Sequence, residues 1–156
     1  MPKTRLAGVK ILCILVLLSS FLHIHSLLED TPWYFENYAY LPAWLTVIRY
    51  CFSWFQRILG VTAAVLTLMY RELGRKLLLI IGIFTITTVY WKHPFEAVKI
   101  HAEGLQASFP EPAQQFSLDS IAATATVLLI LIDVTFQGIV IYYFTRKRVK
   151  EAFANS

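Results

Sequence analysis

The chain has 156 residues, of which 57% are hydrophobic and only 15% charged. Mean hydropathy is +0.58, and soluble domains run at about 45–50% apolar and about 25% charged residues, so a water-soluble globule of this length has too little interior for its apolar side chains. The formal net charge of +4 does not mark a nucleic-acid binder, because the basic residues sit at the ends of apolar runs, the placement that orients a membrane protein.

The first apolar run, Leu6 to Leu28, follows the basic start Met1-Pro2-Lys3-Thr4-Arg5. It has no small-x-small cleavage site after it and has spanning length, since about 20 residues at 1.5 Å rise cross a bilayer core. It is expected to be a retained helix, with Lys10 snorkelling to the headgroups. Residues 29–42 carry Glu29, Asp30 and Glu36 among Trp33, Tyr34, Phe35, Tyr38 and Tyr40. This reads as an acidic loop with an aromatic belt at a membrane boundary. Pro42 then opens a second span over 43–70.

Arg71-Glu72-Leu73-Gly74-Arg75-Lys76 reads as a basic hairpin leading to a third, short span over 77–91. In the polar stretch that follows, Phe95, Val98, Ala102, Leu105 and Phe109 recur at steps of three and four, with Glu96, Lys99 and Glu103 between them. That spacing predicts an amphipathic interfacial helix over about 94–109, ended by Phe109-Pro110-Glu111-Pro112. The fourth span, 121–144, closes on Thr145-Arg146-Lys147-Arg148-Val149-Lys150. The fold expected is therefore all-α: one membrane domain, a four-helix transmembrane bundle with one short interfacial helix.

On the side of the termini lie Lys3, Arg5, Lys10, Arg71, Arg75, Lys76, Arg146, Lys147, Arg148 and Lys150; on the other lie Lys92 and Lys99. Ten against two predicts cytoplasmic termini and an inner-membrane, multi-pass protein. Arg146, Lys147, Arg148 and Lys150 are expected to touch the anionic lipid surface, with Val149 and Phe153 pressing into the headgroup boundary beside them. Cys13 and Cys51 form no CxxC or metal-spaced cluster, so a disulfide framework is excluded and both are expected to be buried thiols.

Ionisable residues at membrane depth persist only with a partner or a wet cavity. Counting along the helices places Asp133 roughly 17 Å and Arg57 roughly 20 Å above the edge on the side of the termini. Arg49, Ser53, Gln56, Arg57, Gly60, Ala64 and Thr67 make one polar and small stripe, and Ala122, Thr126, Asp133 and Gln137 make another, so these two faces are expected to meet. Asp133, Arg57, Gln56, Gln137 and Arg49 are the binding or relay candidates. Arg57–Asp133 reads either as a buried pair that fixes helix register or as a proton relay or polar substrate site.

His23, His93 and His101 are weaker metal or haem candidates, and His23 and His25 point to different sides of a helix. No nucleotide loop, nucleophile elbow, HExxH pair or paired carboxylate is present, so no catalytic residue and no cofactor is expected. Three function classes follow: an accessory or scaffold protein without enzymatic activity, a small transporter or proton-coupled permease subunit using Asp133 with Arg57, and a haem or quinone redox protein. The expected partners are membrane lipids and other membrane proteins or further copies of the chain, not nucleic acid.

Ile141-Tyr142-Tyr143-Phe144-Thr145-Arg146 followed by Val149-Lys150-Glu151-Ala152-Phe153 resembles the closing motif of small uncharacterised bacterial four-helix membrane proteins. The hairpin Arg71-Glu72-Leu73-Gly74-Arg75-Lys76 is similar to theirs, with Arg75-Lys76 in place of a Trp-Ala-Arg triplet. The likeness extends distantly to four-helix accessory subunits of quinol oxidases, and it implies a fold and a compartment.

Overall fold

The last apolar run of the sequence forms the longest of the described helices, and a serine sets where that helix begins. The computed structural model describes residues 6–29, 31–92, 95–107 and 117–154. They form α1 (Ala7–Glu29), α2 (Thr31–Asn37), α3 (Ala43–Leu68), α4 (Glu72–Thr87), α5 (Val89–Lys92), α6 (Phe95–Ala107), α7 (Leu118–Thr145) and α8 (Lys147–Ala154), with no strand among the described residues. Ser117 caps α7, its Oγ accepting the Ser120 amide at 3.3 Å, so the helix starts before the apolar run does.

Three helices, α1, α3 and α7, are long and apolar enough to cross a membrane. The expected third span is shifted. Glu72 to Lys76 are already helical, and α4 ends at Thr87. There Thr87 and Thr88 both turn their hydroxyls back onto the Phe84 carbonyl, at 2.9 and 2.8 Å, within a β-branched stretch that holds a helix poorly. Sixteen residues rise about 24 Å, short of the roughly 30 Å hydrocarbon core. Together with Val89–Gly104, from which it is bent by 68°, α4 makes a broken fourth candidate.

Two segments expected to be non-helical or lipid-bound are helices held by the protein itself. In the acidic stretch, α2 begins with Thr31, whose hydroxyl donates to the Leu27 carbonyl at 2.6 Å and meets Tyr50 Oη at 3.0 Å. Tyr34 and Phe35 then pack on Tyr50, ring centroids 5.3 and 5.4 Å away. At the other end, α8 folds back, and Val149 and Phe153 are buried against the protein, not in the headgroups. The amphipathic helix over 94–109 is present as α6; its expected Phe109-Pro110-Glu111-Pro112 terminus and His93 lie outside the described residues.

The chain leaves α3 through a Schellman turn: Tyr70 N–H donates to Thr67 O and Arg71 N–H to Leu66 O, both at 2.9 Å. Tyr70 takes the left-handed position, φ 56°, which glycine normally fills. The turn brings α4 so close to α3 that Gly74 leaves no space for a Cβ beside the Thr67 backbone nitrogen.

Packing runs α1 on α3, α3 on α4, α4 on α7 and α6 on α7, the last pair tied by Lys99 Nζ to Asp119 Oδ1 at 2.7 Å. The polar stripes of α3 and α7 therefore do not interdigitate directly, as their spacing had predicted, because α4 stands between them. The dense core lies at the end carrying the termini and joins Val9, Cys13, Ala63, Leu78, Val140 and Phe144. Gly8 lies so close to the Tyr143 ring that a Cβ there would strike it. Outward-facing side chains are strongly apolar: Leu22 is 71%, Phe55 61% and Ile132 64% exposed, a surface that suits lipid and not water. Cys51 shares this outer surface, contrary to the expectation of two buried thiols, whereas Cys13 is buried.

Candidate functional site

Where the core thins, at the end away from the termini, the helices part around a cavity of about 500 Å³. His23 of α1, Tyr34 of α2, Arg49, Gln56 and Arg57 of α3 and Trp91 of α5 line it. Deeper in the bundle a second cavity of about 70 Å³ is lined by Ser20, Arg57, Thr85, Asp133 and Gln137 among others. It has room for a few water molecules. His23, Gln56 and Arg57 line both cavities, so polar side chains run continuously from the open end to Asp133 in the middle of α7.

Each polar residue has an identifiable setting. Arg49 is 6% exposed and its guanidinium carbon lies 4.5 Å from the Tyr38 ring centroid and 4.8 Å from that of Trp91. Both are cation–π distances. Burial pushes the Tyr34 phenol above its usual range, with Tyr38 adding to the effect, while hydrogen bonds from Ser53 and Arg49 pull it back. Tyr34 is thus a neutral acceptor of one Arg49 hydrogen bond, while Arg49 Nε has no hydrogen-bond partner among the described residues. Arg57 Nε is likewise buried without one, and the charge acting on this guanidinium is the Asp133 carboxylate.

Gln56 Nε2 donates to Thr85 Oγ1 at 2.8 Å, tying α3 to α4. Gln137 faces α4 across Gly82, where an added Cβ would lie 3.3 Å from its Oε1. All five sequence candidates, Asp133, Arg57, Gln56, Gln137 and Arg49, therefore line one of the two cavities. Arg57 and Asp133 both line the small one, and the carboxylate acts on the guanidinium there, although α3 and α7 each pack mainly on α4.

His23 and His101 both line the larger cavity. His23 Nδ1 lies 2.6 Å from the Ser19 carbonyl; a carbonyl only accepts, so Nδ1 carries a proton and donates. Among the described residues no three His, Cys, Asp or Glu side chains converge as metal ligands. At the opposite end Arg146, Lys147, Arg148 and Lys150 are all exposed. Arg146 also lies over the Tyr142 ring, 4.7 Å to its centroid, and donates to Tyr142 Oη at 2.7 Å.

Two features escape a reading of the sequence. Tyr38 and Trp91 look like belt residues, yet they close around Arg49; the available signal was an arginine flanked by aromatic clusters with no acid at helical spacing. Arg75 looks like an orientation charge, yet it is 8% exposed and donates Nη1 to the Phe144 carbonyl at 3.0 Å. It also forms a fork with Glu72, Nε at 2.7 Å and Nη2 at 2.5 Å, and so caps the end of α7.

Compared with protein-family models, curated proteins and solved structures, the chain matches none.

Proposed function

We propose that the chain is an inner-membrane protein that crosses the bilayer four times with both termini in the cytoplasm, and that it serves as a small transporter or proton-coupled permease subunit. α4 extended by α5 makes the fourth crossing, α6 lies in the outer interface, and the larger cavity opens outwards. Support for the orientation is the ten-to-two excess of Lys and Arg on the side of the termini. The likeness to small bacterial four-helix membrane proteins belongs to the same reading.

The observation that carries the transport reading is the shared wall of the two cavities, His23, Gln56 and Arg57, which joins an open vestibule to an intramembrane carboxylate. Ionisable residues at such depth, facing a bundle interior, characteristically mark ion and proton pathways. In proteoliposomes, counterflow of labelled organic acids, amino acids or phosphate is expected for one solute class and is lost in Asp133→Asn while the protein still folds. A second reading, an accessory or scaffold protein, draws on the Gln56–Thr85 bond between helices, which serves packing. It is favoured if no solute class exchanges and Asp133→Asn changes folded yield alone. Orientation is tested by fusing alkaline phosphatase after Asn37 and after Gly74; activity only in the second reverses it.

A further inference from the structure

A buried arginine surrounded by rings and a neutral phenol has an unmet charge. Arg49 is fixed on α3, 6% exposed, with Tyr38 and Trp91 over its guanidinium, Tyr34 as a neutral neighbour and Nε without a partner among the described residues. None of the ion pairs among the described residues includes it. Arginine cannot shed its proton to escape the cost of burial. Tyr38 and Trp91 stabilise the face of the guanidinium but accept no N–H hydrogen bonds in its plane, where an oxyanion binds, and there Tyr34 takes one hydrogen bond while Nε is left without a partner among the described residues.

The rest of the wall is rich in donors. Arg57, two turns further along α3, also faces the vestibule with its own Nε unpaired among the described residues, and Asp133 is the one carboxylate acting on it. Among the described lining residues, two guanidiniums stand against one carboxylate, an excess of positive charge. Gln56 lies between the two arginines and, with one amide hydrogen given to Thr85 Oγ1, has its second left as a neutral donor. A carboxylate ligand offers two oxygens; a phosphate group offers more acceptors, matching several converging donors, and its volume fits within about 500 Å³.

We infer that the vestibule is a phosphate-group site in which Arg49 holds the oxyanion by its in-plane N–H donors and Arg57 supplies the deeper positive charge. The group is that of free inorganic phosphate or of a lipid phosphodiester, since the cavity opens at the end of the bundle where headgroups and solvent meet. This inference rests on the cavity's being the outward binding site, but it makes no use of transport.

The test is direct binding by the full chain in a non-ionic detergent. One arm titrates inorganic phosphate at constant ionic strength and follows the unfolding temperature and tryptophan fluorescence. The other adds phosphatidylglycerol and counts bound lipid by native mass spectrometry. Saturable phosphate binding identifies the free anion as the source; one retained phosphatidylglycerol without a phosphate response identifies the lipid.

In either case Arg49→Gln weakens binding by about tenfold or more, and Arg49→Lys, which keeps the charge but not the fork, falls between. Should Arg49→Gln fail to fold, Arg57→Gln serves instead, lowering affinity. No saturable binding of either probe to the native chain, or binding indifferent to all these changes, overturns the inference. Phosphate-group binding without solute counterflow leaves this site standing and removes the transport reading; counterflow without binding does the reverse.

Discussion

Tyr70 stacks on Phe153, centroids 5.3 Å apart and planes inclined by 29°, so the left-handed residue that ends α3 is also the anchor of α8. A tyrosine in that conformation costs about 1–2 kcal/mol relative to glycine. The stack, with Phe153 only 2% exposed and Phe144 at 6.3 Å, offsets the strain. Phe153→Ala is therefore expected to cost about 3 kcal/mol, read from thermal unfolding followed by helical circular dichroism in detergent. Tyr70→Gly should destabilise the native chain but be neutral or stabilising in the Phe153→Ala background, where only the strain remains to be relieved. Equal effects in both backgrounds would mean that the two rings do not hold the turn.

Glycines at two positions should answer oppositely to the same substitution. A Cβ at Gly74 meets backbone atoms of Thr67 and Leu66, which cannot move aside without shifting α3. At Gly138, within α7, nothing lies within 4 Å of an added Cβ. Gly74→Ala is expected to lower folded yield sharply, whereas Gly138→Ala is expected to stabilise by about 0.5–1 kcal/mol through helix propensity. Thermal scans of the two variants side by side check the contrast, and a harmless Gly74→Ala would contradict the close α3–α4 approach.

Arg75→Lys tests whether this residue is a structural cap or merely one of the orienting cations. Lysine keeps the charge that directs topology but cannot donate at once to both Glu72 oxygens and to Phe144 O, as Arg75 does. The expected loss is about 2 kcal/mol, because a charged hydrogen bond at a mostly buried site is removed. Topology reporters should be unchanged. A stability equal to that of the native chain would reduce Arg75 to its orienting role.

The long helices were legible because continuous apolar runs broken by basic residues have few other solutions in a membrane. Their ends were less so. Ser117 extends α7 and the threonines near Phe84 stop α4 through side-chain hydrogen bonds that hydropathy does not register. α2 and α8 were missed as packed helices because their order comes from tertiary ring contacts, Tyr34 with Tyr50 and Tyr70 with Phe153. Counting residues along a helix gives the depth of Arg57 and Asp133 but not which helix stands beside which. Both residues line one cavity, while α3 and α7 pack mainly on α4, an arrangement that counting along single helices does not give.

The sharpest prediction concerns that pair. Arg57 and Asp133 share the wall of the small cavity, and removing one partner of a buried pair ordinarily costs about 3–5 kcal/mol because the other is left uncompensated. Here each has an escape. Arg57 also lines the vestibule, so in Asp133→Ala its guanidinium turns towards the wider, wetter space. Asp133 takes up a proton in Arg57→Ala, a route closed to arginine. Both single variants are therefore expected to lose similar amounts, about 2 kcal/mol each, below the full penalty. The double variant Arg57→Leu/Asp133→Leu should lose less than the sum, because two leucines remove both uncompensated groups together. Detergent-resistant folded yield and thermal unfolding measure all three. Strict additivity would show that the two residues do not interact across the cavity, whereas recovery of folding with loss of solute counterflow would mark a pair kept for function.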